Sequence, residues 1–174
     1  MIKELLKIER LTQQVQLMLD GLDEELYGYI VDFNKDLILL NEVDDFRLNG
    51  YSILHTKDII GLRSNEMERF SERVMRDKGI HAQRVEGLNI ASWYDVFSFF
   101  HHTQEVVIVE SNDDEEAFLV GRVLQTLKTN AELQYINAIA EIEEPAHVVY
   151  KLIHMVNFRQ EYTNVYDAYS KNPA

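Results

Sequence analysis

Short hydrophobic runs separated by polar turns dominate the chain, and their period predicts mainly β-structure. Val15-Gln-Leu-Met-Leu19 alternates, and Asp20-Gly21 follows it as a turn. Leu26–Phe33 and Leu37–Val43 read as two strands joined by Asn34-Lys-Asp36. Asn tolerates the left-handed angles of so tight a turn, so the pair predicts a hairpin. Asn49-Gly50 is a strong turn dipeptide, followed by a strand at Tyr51–His55 and a shorter one at Asp58–Leu62. The period then becomes helical. Ser64 or Asn65 can cap, Met67, Phe70, Val74 and Met75 line one face, and Gly79 ends the helix. Trp93, Val96, Phe97 and Phe100 predict a second helix with a buried aromatic face. Strands are expected at Val106–Val109, Phe118–Gln125, Ala131–Ile136, His147–Tyr150 and Ile153–Phe158. A short leading helix is expected in Met1–Leu11 and a closing one at Gln160–Ser170.

These elements fall into two similar series. Gly28-Tyr-Ile-Val-Asp, Asn34-Lys-Asp and Leu37–Val43 recur 93 positions later as Gly121-Arg-Val-Leu-Gln, Lys128-Thr-Asn and Ala131–Ile136. The reading is a mostly β chain with short helices (α+β), built as two tandem small, strongly bent barrels, each preceded by a short helix. The expected boundaries are 1–63 for the first unit, 64–88 for a helical connector and 89–174 for the second unit.

Composition narrows the classes. A hydrophobic share of 46% in 174 residues suits a packed core rather than a disordered chain. The absence of cysteine excludes disulfides, thiolate metal sites and a cysteine nucleophile. No apolar run approaches the roughly 20 residues of a membrane helix, and the N-terminal residues do not read as a signal peptide, so the expected location is cytoplasmic. The formal net charge of −13 opposes binding to phosphate backbones. The acidity is uneven: from Thr103 to Ala146 ten acidic residues face only Arg122 and Lys128.

The pattern Gly28-x-Ile30-x-x-Phe33-Asn34-x-x-Leu37-x-Leu39 resembles the first motif of the Sm-like (Hfq-type) proteins, small RNA-associated β-barrels. Gly121, Val123, Leu127 and Leu133 resemble it more weakly, and the whole is similar to bacterial proteins with a tandem Sm-like arrangement. The resemblance implies two Sm-like barrels and assembly through strand edges, leaving a homo-oligomer open. It does not carry over the RNA site. The family's base-contacting Asn falls at Ile38, and its later Arg-Gly pair falls near His55-Thr56.

Candidate chemistry is sparse. Asp113, Asp114, Glu115 and Glu116, with Glu141, Glu143 and Glu144, form the candidate acidic partner surface; calcium loops need spaced oxygens and a central glycine that these lack. His55 and Lys57 mark the position of an RNA-type rim. His101-His102 with His147 or His154 would make a metal site only if folding gathered them, and a polar helix end is the ordinary reading. Asp20 and Asp44-Asp45 have nothing beside them that suggests a substrate pocket. Tyr162–Tyr169 and the Met67–Val74 helix are possible docking stripes, with packing as the commoner use of such residues. No phosphate-binding glycine loop or nucleophile elbow is present.

The sequence reading is therefore a non-catalytic cytoplasmic interaction or regulatory protein without a cofactor. Its acidic surface would meet a basic protein partner, in one version as an inhibitor or immunity-like protein. The alternative is an RNA-binding Sm-like protein.

Overall fold

The computed structural model describes residues 2–20, 25–112 and 117–171. The chain divides into two compact units, Met1–Glu86 and Gly87–Ala174. The first contains α1 (Ile2–Leu5), β1 (Gln14–Leu19), β2 (Glu25–Phe33), β3 (Leu37–Asp44), β4 (Arg47–His55), β5 (Ile59–Arg63) and α2 (Glu66–Asp77). The helix expected as a connector thus belongs to the first unit, where it lies against β1. The second contains α3 (Trp93–Thr103), β6 (Val107–Ser111), β7 (Phe118–Thr126), β8 (Asn130–Tyr135), β9 (Ala146–Val149), β10 (Ile153–Phe158) and α4 (Glu161–Lys171).

The ten strands make open antiparallel sheet, and this corrects the expectation of two tandem Sm-like barrels. Their order is β5-β1-β2-β3-β4 in the first unit and β10-β6-β7-β8-β9 in the second. Closure would need the two edge strands of a unit to pair with each other. Among the described residues no pairing joins β4 to β5, or β9 to β10. A 3-10 turn at Thr56–Asp58 carries the chain across to β1, where Leu17 faces Leu62, instead of back along β4.

Within each unit the sheet is bent by the same means. The β2–β3 register shifts between Ile30 and Asp32, and the β7–β8 register between Val123 and Gln125. Such a bulge leaves one residue unpaired and increases local twist. Gly28 lies so close to β3 that a Cβ there would collide with the Asn41 carbonyl oxygen, and Gly121 stands in the same relation to Gln134. Bulges, glycines and the carbonyls they approach all recur at the 93-residue offset seen in the sequence.

Alternation places the first core on one face of β1–β3. Val15, Leu17, Leu19, Ile30, Ile38 and Leu40 pack there with Leu5, Leu54 and Ile59. In the second unit α3 buries Trp93, Val96, Phe97 and Phe100, as its spacing predicts. Ser92 caps its N-terminus, and Gln104 ends it in the left-handed region. Helix α4 is held by Arg122 of β7, which donates to Asp167 Oδ1 (2.8 Å) and Ser170 Oγ (3.0 Å). Its buried positions are Thr163 and Ser170, whereas Tyr162, Val165 and Tyr169 are exposed.

The glycine contacts set an expected outcome. Gly28→Ala and Gly121→Ala should each lower stability by about 1–3 kcal/mol, the usual cost of forcing extra volume into a packed site. Urea denaturation of the full chain measures both, and unchanged midpoints would contradict the close approach.

Candidate docking groove

The face of β1 opposite the core is polar and nevertheless buried. Gln14 and Gln16 are both almost fully inaccessible. A buried amide is costly unless hydrogen-bonded, and here each finds a tyrosine on β2. Gln14 Nε2 donates to Tyr29 Oη (2.8 Å) and lies 3.2 Å from Met75 Sδ, while Gln16 Nε2 donates to Tyr27 Oη (2.9 Å). Burial pushes the Tyr29 phenol above its ordinary pKa. Tyr27 is also raised, chiefly because its hydroxyl donates to Glu25.

Helix α2 covers this polar layer. The β1–β5 pairing reaches only to Gln16 and Arg63, so the backbone of Gln14 lies beyond it. Its N–H donates to Glu72 Oε1 (2.7 Å), and its carbonyl accepts from Ser64 Oγ (2.8 Å). Asn65 caps the helix, accepting from the Met67 N–H, while its own N–H donates to Glu68 Oε2 (2.7 Å). The other Glu68 oxygen accepts from Arg63 Nη2 (3.0 Å). Burial alone would raise the Glu68 pKa, but the Asn65 N–H and the Arg63 guanidinium outweigh it and hold the carboxyl below its usual range.

The inward stripe of α2 is therefore Glu68, Glu72 and Met75; of the apolar face read from the sequence Met75 turns inward, whereas Met67 and Phe70 turn outward. Met67 is 68% exposed and Phe70 49%. Opposite them stands the β3–β4 turn. Asp44 pairs with Arg47, so the connection is the two residues Asp45 and Phe46, not the Asn49-Gly50 dipeptide. Both adopt left-handed angles, φ 45° and 62°. Hairpin turns of this kind normally carry Asn-Gly, and a bulky residue there is strained by about 1–3 kcal/mol. Gly50 lies instead within β4, where its carbonyl accepts from Asn41 Nδ2 (2.7 Å) beside a shift in register.

Between turn and helix lies an open groove of about 710 Å³. Tyr27, Val43, Phe46, Met67 and Phe70 supply its apolar walls. Phe46 and Phe70 meet edge to face at 6.0 Å, with Lys78 over the first ring and Arg73 over the second. The ionisable groups lining it, apart from Tyr27, are Asp44, Asp45, Glu66 and Glu68, and among the described residues no Lys or Arg does so. Glu68 is matched by Arg63, and Asp44 by an exposed pair with Arg47 at 3.0 Å, a type of pair worth little in water. Asp45 and Glu66 have no ion-pair partner among the described residues.

The sites expected from the sequence are distributed differently. Asp113, Asp114, Glu115 and Glu116 lie outside the described residues. Glu141, Glu143 and Glu144 are exposed, but the first two are drawn into their own loop: Asn137 Nδ2 donates to Glu143 Oε1 (2.6 Å), and Asn137 Oδ1 accepts from the Glu141 N–H. His55 is half-buried at the end of β4, and Lys57 is exposed in the following turn. Burial, and then the Lys57 charge, push the His55 imidazole below its ordinary pKa, which favours the neutral ring. Ile38 belongs to the core. The His101 ring lies 3.3 Å from the Val123 carbonyl, and among the described residues no three metal-binding side chains gather. Asp44 and Asp45 do line the groove, as part of its rim. Tyr162 stacks on Tyr166 at 4.8 Å with Phe118 at its edge, forming an exposed aromatic row on α4. Tyr27 and Phe46 were not singled out by the sequence, because neither falls in a recognisable motif.

Among the described residues no helix is long and apolar enough to cross a membrane. No family model matches the chain, and neither a curated protein nor a solved structure does so.

The Glu68 seat has a pH signature. A carboxyl with a depressed folded pKa stabilises above its unfolded value of about 4.3, and that contribution is lost as pH falls through the lower folded value. Glu68→Gln should melt a few degrees below the parent at neutral pH, and the gap should close under acid conditions. A gap independent of pH would contradict the charged seat.

Proposed function

We propose that the chain is a non-catalytic cytoplasmic interaction protein that docks a basic partner protein through the groove between α2 and the β3–β4 turn. The observation that carries this reading is the apolar groove whose exposed charged lining is entirely carboxylate. Exposed apolar surface concentrated in one place marks interaction sites. The strained Phe46 adds weight, because backbone strain collects where function needs a side chain held in place. The net charge of −13 supports the same partner class, since it would steer a cationic surface toward the chain. An inhibitor that covers a cationic site on its target is one form such a protein takes.

Photo-crosslinking tests the reading. A benzoylphenylalanine replacing Met67 should give an adduct with a basic protein, while one replacing the exposed Lys35 should not. Raising ionic strength from about 0.1 M to about 1 M shortens the screening length from about 10 Å to about 3 Å and should suppress the adduct. Phe46→Gly should remove it while leaving stability within about 1 kcal/mol of the parent, because glycine relieves the left-handed turn. An adduct indifferent to salt and to Phe46→Gly would overturn the reading.

A further inference from the structure

Resting on the reading that the groove docks a partner protein, we infer that its occupant is an amphipathic helix. That helix presents bulky apolar side chains at i, i+3 or i+4, and i+7, with Lys or Arg flanking them. Partner segments commonly dock either by adding a strand to a sheet edge or by laying a helix face into a groove. The first mode needs unpaired backbone, which the groove does not offer at useful length. β1 is flanked by β2 and β5. β3 is paired with β2 as far as Glu42 and with β4 as far as Asp44, leaving its last two residues open on one side, and β2 is paired with β3 only from Gly28, leaving Glu25–Tyr27 open on that side. Both stretches fall short of the roughly 5–6 residues of a usual strand. Recognition therefore falls to side chains.

Those side chains favour a helix. Met67 and Phe70 stand three residues apart on α2 and form a short exposed ridge, against which the i, i+3 and i+4 ridges of a second helix pack. Phe46 closes the opposite wall, and about 710 Å³ lies within the range that holds several large side chains. The carboxylates come from two separate elements, Asp44 and Asp45 from the turn and Glu66 from the first turn of α2. Cations on either side of the apolar anchors would meet them, whereas an acidic helix would set like charge against Asp45 and Glu66, which have no ion-pair partner among the described residues.

The experiment is selection from a random peptide library displayed on phage, using the full chain as target and Met67→Asp for counter-selection. Met67 is mostly exposed, so its replacement leaves the fold in place, which circular dichroism verifies. Peptides that depend on Met67 should carry apolar residues at helical spacing with Lys or Arg flanks. A proline placed within the apolar spacing should cost them at least tenfold in affinity. Met67-dependent peptides without that spacing, or acidic ones, would overturn the helical occupant while leaving a docking groove. The absence of any Met67-dependent peptide would overturn both. Self-association of the chain in sedimentation runs, lost in Met67→Asp, would assign the groove to a second copy and also overturn the inference.

Discussion

The first unit depends on how α2 is seated over a polar face of its own sheet. Beyond the end of β5, the N–H and carbonyl of Gln14 have no partner on that strand, and buried backbone groups without partners are costly. Glu72 and Ser64 take them up, while Glu68 joins Arg63 to the helix cap. These hydrogen bonds are directional, so they fix the rotation of the helix as well as its position. Once Glu68, Glu72 and Met75 point inward, Met67 and Phe70 are left facing outward. The exposed apolar ridge is thus a geometric consequence of the polar seat.

The β3–β4 turn completes the groove from the other side. Cross-strand pairing of Val43 with Leu48 and Asp44 with Arg47 leaves only two residues to reverse the chain. That forces Phe46 into a backbone region its side chain disfavours, and the ring then meets Phe70 edge to face. The Phe46–Phe70 contact and the cations over both rings return part of the strain energy. A glycine would suit the turn better and would contribute nothing to the groove wall.

Much of the local structure was legible in the sequence. The hydrophobic runs of β2 and β3 and the Asn34 turn follow from composition and period. So does the aromatic face of α3. The orientation of α2 was not legible, because two stripes one residue apart both have helical spacing. The apolar one, Met67–Phe70–Val74, looks like core, while the true inward stripe combines Met75 with Glu68 and Glu72, and those two carboxylates become favourable only through Arg63 and the sequence-distant Gln14. Turn propensity likewise favoured Asn49-Gly50, and cross-strand pairing overrode it. Open edges instead of closed barrels could not be read locally either, since closure depends on which strands meet after the chain has folded. The candidate acidic surface was a matter of charge density alone. In the fold, part of it is bound within the Asn137 loop, and the rim of the groove uses Asp45 and Glu66 instead.

The most direct test of the groove as a docking site is the methyl NMR spectrum of the methionines during titration with a lysine–leucine amphipathic helical peptide. Met67 lines the groove, Met75 is buried on the inward side of α2, and Met155 lies on β10 in the second unit. The account expects the Met67 methyl resonance to shift in a saturable, salt-sensitive manner while that of Met155 stays in place. A Met67 resonance unmoved by the peptide, or shifts spread equally over Met67 and Met155, would contradict it.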